Sequence, residues 1–265
     1  RRPPRSTLFP YTTLFRSFEI DFAHDDGMTV VNHKPAYSIN IAYDRIECRL
    51  KEEILGPANM TTFANKPVTI RSMRYCDGQL LEGDGDVAEQ KYFWASIACP
   101  MFYLWGDRDR SPEEFLMRCV LYGAQPTVAW PLETYAGLYQ KYLPLLAQFK
   151  RRVFCFEPDP LEVPRHSRGL LFTTPDGYVA GIINDRLVDG DAITYGRPPV
   201  ARFRVARPIV RVGITTPGET SLRDVGFTVD KGVVVVPMQG YTNACVIKLF
   251  TGGPSAATQE SGHDQ

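Results

Sequence analysis

The chain has no CxxC pair, no GxGxxG turn, no GxxxxGK[ST] phosphate loop and no GxSxG elbow, and each absence removes a class of chemistry. The six cysteines, Cys48, Cys76, Cys99, Cys119, Cys155 and Cys245, lack the paired spacing of zinc sites and thioredoxin-like motifs and read as buried reduced thiols. Without a Gly-rich cradle there is no anchor for a nucleotide cofactor. Without a nucleophile elbow there is none for a serine hydrolase. A basic excess is also missing: 30 Lys plus Arg face 30 Asp plus Glu, a net charge of zero, so no footprint for a nucleic-acid backbone is expected. The apolar run at Val233–Val236 is strand-sized, and nothing in the chain approaches a membrane span.

What is present is a chain with 44% hydrophobic and 12% aromatic residues, a composition that suits a packed globular protein. Its first stretch, Arg1–Ser17, reads RRPPRSTLFPYTTLFRS. Back-translation of every codon in this stretch matches a sequencing adapter, so it is set aside from fold reasoning. The remainder, about 248 residues, is enough for one large domain or two ordinary ones, and is expected to be part of a longer protein. No targeting segment can be read, so neither compartment nor oligomeric state is assigned.

Two halves differ in texture. Between Phe18 and Lys150, apolar strand candidates alternate with helical patterns: FEIDFAH (Phe18–His24), MTTFAN (Met60–Asn65), QLLEG (Gln79–Gly83), MFYLWG (Met101–Gly106) and TVAW (Thr127–Trp130). Helices are expected around Tyr43–Ile54, Val87–Ala98, Ser111–Tyr122 and Tyr135–Phe149. Ser111-Pro112-Glu113-Glu114 is a helix start with a cap, an N-terminal proline and a capping-box acid, and Gly123 is a stop. Pro144 should kink or divide the last helix. This order predicts an α/β region of parallel βα units. Polar residues gather where each strand ends, the ligand-binding edge of barrels and doubly wound sheets alike. From Arg151 to Thr251, eight short strands separated by Pro175-Asp176-Gly177, Asp189-Gly190-Asp191, Pro217-Gly218 and Asp230-Lys231-Gly232 predict an all-β antiparallel sandwich. Gly252–Gln265 is expected to be a disordered tail.

Five βα units followed by a β-sandwich resemble the C-terminal part of a (β/α)8-barrel glycoside hydrolase of the α-galactosidase and α-glucosidase group. The resemblance covers Phe18–Phe250. It implies an incomplete barrel over residues 18–150, a sandwich over residues 151–251, and an oligosaccharide or glycoside substrate cleaved by a carboxylate pair, with retention of configuration. In that group the nucleophile closes the fourth barrel strand and the acid/base closes the sixth. Asp21 and Glu82 match these positions. Two departures stand out: the sixth-strand acid of the group is usually Asp, and FEIDFAH is only loosely like the fourth-strand pattern. The fragment itself is expected to be inactive, because the first three barrel strands supply part of the sugar pocket.

The residues can be read without the family too. Glycoside cleavage needs one carboxyl to protonate the leaving oxygen and another to attack or to activate water. Asp21 lies between apolar neighbours, and it could equally cap the following helix. Asp25 and Asp26 compete with it from a DDG turn. Glu82 ends an apolar strand and enters Gly83-Asp84-Gly85-Asp86, where burial would raise its pKa toward that of an acid catalyst. Asp84 and Asp77 are alternatives for the acid, and EGDGD is equally an ordinary capping turn. Its length and spacing are not those of an EF-hand, so neither metal nor cofactor is assigned. Trp105 and Trp130 suit stacking on sugar faces or a place in the core. His24, Asn65, Asp84 and Asp107 are candidate hydroxyl ligands, and His33 is a further contact. A non-catalytic carbohydrate-binding or structural protein with a degenerate barrel, or an unrelated α/β enzyme, would share these features.

Overall fold

A computed structural model of the chain describes residues 17–20, 28–31, 34–38, 49, 60–64, 78–81, 85–98, 101–104, 111–127, 131–185 and 198–252. The chain divides into two compact units, residues 1–109 with 124–129, and residues 110–123 with 130–265.

The first unit holds a five-stranded parallel sheet. Its strands are β1 (Ser17–Ile20), β4 (Met60–Ala64), β5 (Gly78–Leu81), β6 (Met101–Leu104) and β7 (Gln125–Pro126), laid side by side in chain order without reversal. Between β1 and β4 comes an antiparallel hairpin of β2 (Met28–Val31) and β3 (Lys34–Ser38), with a bulge between Met28 and Val30. The register is continuous across the sheet: Ile20 pairs with Phe63, Phe63 with Gln79, and Gln79 with Phe102. Ser17, the last residue of the adapter-like stretch, pairs with Met60. Helix α1 (Gly85–Ala98) joins β5 to β6 and buries Tyr92, Ala95 and Ser96 at helical spacing, while Trp94 is exposed. The last described strand lies at Gln125–Pro126, and Val128, Ala129 and Trp130 of the expected Thr127–Trp130 strand lie outside the described residues. Thr127 still belongs to its ladder, because both its amide and its hydroxyl donate to the Leu104 carbonyl, at 3.0 and 2.9 Å.

In the second unit, helix α2 (Pro112–Tyr122) starts and stops as its sequence dictates. The Ser111 hydroxyl accepts from the Glu114 amide at 3.2 Å, Pro112 sits in the first turn, and Gly123 adopts a left-handed φ of 61°. Seven of its residues, Phe115, Leu116, Met117, Cys119, Val120, Leu121 and Tyr122, are buried, as expected of a helix covered on several sides. Helix α3 (Leu132–Leu146) is not divided at Pro144. It continues to Leu146 and tightens into a 3-10 turn at Ala147–Phe149.

Ten strands follow. A six-stranded antiparallel sheet has the order β14-β13-β17-β11-β10-β8, and a four-stranded one the order β15-β16-β12-β9. Their members are β8 (Val153–Phe154), β9 (Leu161–Glu162), β10 (Ser167–Thr174), β11 (Gly177–Asn184), β12 (Val200–Arg204), β13 (Ile209–Thr215), β14 (Arg223–Asp224), β15 (Thr228–Asp230), β16 (Val233–Pro237) and β17 (Ala244–Thr251). Period-two alternation builds a core shared by both sheets. Tyr178, Ala180 and Ile182 of β11 and Cys245, Ile247 and Leu249 of β17 meet Ala201 and Phe203 of β12 and Val234 and Val236 of β16. Arg202 and Arg204 take the outward positions of β12.

β11 is buried along its whole length, because its other face receives α2. There Gly181 backs onto the Val120 carbonyl so closely that a Cβ would collide with it. Gly177, at φ 149°, is equally confined by the Leu249 carbonyl. The β15–β16 hairpin turns on Lys231 and Gly232, both with positive φ (49° and 81°), the geometry of a tight two-residue connection.

Candidate functional site

A parallel sheet puts all its strand C-termini on one edge. In this chain those ends are Ile20, Ala64, Leu81, Leu104 and Pro126. Asp21, Asn65, Glu82 and Trp105 are each the next residue in the sequence after one of the first four ends. These four, together with His24, Asp84, Asp107 and Trp130, lie outside the described residues, as do the alternatives Asp25, Asp26 and Asp77 and the further contact His33. At that edge Leu81 and Leu104 are buried, 2% and 1% exposed. Paired residues across a parallel ladder share a face, and successive residues alternate faces. Leu81 pairs with Leu104 and Leu104 with Pro126, so these three share one face.

The polar clusters that are described lie in the second unit, and none was singled out in the sequence as more than a turn or a cap. Glu113, in the first turn of α2, accepts from the Tyr142 hydroxyl at 2.8 Å and from the Asn243 amide at 3.3 Å. It thereby ties α2 to α3 and to the residue preceding β17. Burial, and then the hydrogen bond to the Glu113 carboxylate and its charge, push the Tyr142 phenol far above its ordinary pKa. Burial likewise raises the Cys119 and Cys245 thiols well above theirs, so these two cysteines are inert packing groups.

Asp176 and Glu219 behave in the opposite way. Burial alone would raise Asp176, but hydrogen bonds from Lys248 and Thr174, together with the Lys248 charge, hold it below the usual carboxylate range. Lys248 Nζ lies 2.7 Å from its carboxylate. Burial would also raise Glu219, but the amide and hydroxyl of Thr216 and the guanidinium of Arg223 outweigh it and hold Glu219 low. The buried Arg152 donates from Nε to the Gly123 carbonyl at 2.9 Å and lies over the Phe172 ring at 4.6 Å. Every one of these groups joins elements of the fold to one another. Among the described residues no three His, Cys, Asp or Glu side chains are grouped to hold a metal, and no helix is long and apolar enough to cross a membrane.

No family model and no curated protein matches the chain. Solved structures similar to it include a GH30 endoxylanase from Clostridium papyrosolvens C71, at 13% identity and a TM-score of 0.39, covering 79% of this chain and 60% of the endoxylanase chain. The catalytic domain of GH30 xylanase C from Talaromyces cellulolyticus aligns at 10% identity and a TM-score of 0.35, covering 88% of this chain and 62% of the xylanase chain. The chain thus spans about three fifths of the length of these two glycoside hydrolases, and at such TM-scores the likeness carries no argument about its fold or chemistry.

Proposed function

We propose that the chain is part of a (β/α)8-barrel glycoside hydrolase with a β-sandwich appended, and that Asp21 and Glu82 are its carboxylate pair. The observation that carries this reading is the strand order. Five parallel strands stand side by side in chain order, as in a barrel, whereas a doubly wound sheet reverses its order at the ligand crevice. The shared core of the six- and four-stranded sheets supports the sandwich.

The candidate residues follow directly on strands whose register is continuous. Ile20, Phe63 and Gln79 are laterally paired. Asp21 follows Ile20 by one residue and Glu82 follows Gln79 by three in the sequence, each just past its strand.

In this reading Asp21 attacks the anomeric carbon, Glu82 protonates the leaving oxygen and later deprotonates water, and Trp105 and Trp130 wall the sugar subsite. His24, Asn65, Asp84 and Asp107 grip hydroxyls. The test uses the gene's upstream coding sequence joined to this chain, assayed on a panel of aryl glycosides and oligosaccharides. Hydrolysis that Asp21→Asn abolishes without loss of sugar binding supports the assignment. Sugar binding without hydrolysis in the parent protein would instead identify a non-catalytic carbohydrate-binding protein.

A further inference from the structure

We draw no further inference here: the strongest candidate, the exposed apolar edge of the six-stranded sheet where Val153 and Phe156 flank Phe154 on and beyond β8, carries nothing because nothing in the structure shows what covers it.

Discussion

Glu113 anchors two hydrogen bonds from different parts of the second unit, so its donors can be removed one at a time. Tyr142→Phe should cost about 1.5–3 kcal/mol in urea unfolding, the range for a hydrogen bond to a charged group. The same tyrosine sets an alkaline limit. Its pKa is raised on folding, so the unfolded state loses the proton first and its stabilising effect is complete below the ordinary phenol pKa of about 10. Stability should fall as pH rises above that point, and Tyr142→Phe should flatten the fall. Asp176 and Glu219 work at the acid end. Their lowered pKa values give stability that is present above the ordinary carboxylate pKa of about 4 and lost as pH falls through the depressed values. Thermal melts between neutral and acid pH should therefore show a decline that Lys248→Met reduces. An unchanged acid profile in that variant would mean the Lys248 contact is not what holds Asp176 low.

Single elements were legible in proportion to how local their signals are. The limits of α2 follow from Ser111, Pro112 and Gly123 alone, so Ser111→Ala should cost about 1 kcal/mol through loss of the cap. The long strands were found within a few residues for the same reason, since alternation and turn residues lie inside each segment. The short strands β9 and β14, two residues each, went unpredicted because only their partners define them: Leu161 and Glu162 are strand residues through β12, and Arg223 and Asp224 through β13. The β2–β3 hairpin is likewise defined by pairing, Met28 with Ser38 and Val31 with Lys34, which no pattern within either short segment announces. That α2 lies on β11 is also not local. Its trace in the sequence is Gly181 inside an otherwise apolar run, a mark of close backbone approach. Gly181→Ala should destabilise by about 1–3 kcal/mol or more, because the obstacle is the Val120 carbonyl rather than a movable side chain. A neutral result in chemical denaturation would mean that α2 does not pack at that distance.

At the scale of the molecule, α2 and α3 belong to the same compact unit as the antiparallel sheets. A chain beginning at residue 110 should therefore unfold more cooperatively and at higher urea than one beginning at residue 151, which uncovers the outer face of β11. Removing residues 1–17 should leave the melting temperature unchanged if that stretch is adapter-derived, and a large drop would contradict its origin. The candidate site was legible only as a set of strand-end positions. Which residues share a face depends on register between strands more than forty residues apart in the chain, such as Ile20 with Phe63, and no local pattern encodes that. The most direct test of the central claim is a leaving-group comparison in the gene product extended upstream. Rates would be measured on aryl glycosides of good and poor leaving groups for the parent, Asp21→Asn and Glu82→Gln. Asp21→Asn should lose activity on both, whereas Glu82→Gln should be slowed ~10²–10⁴-fold on poor leaving groups, which need a proton, and far less on good ones. Parental rates in both variants on both substrates would contradict that claim.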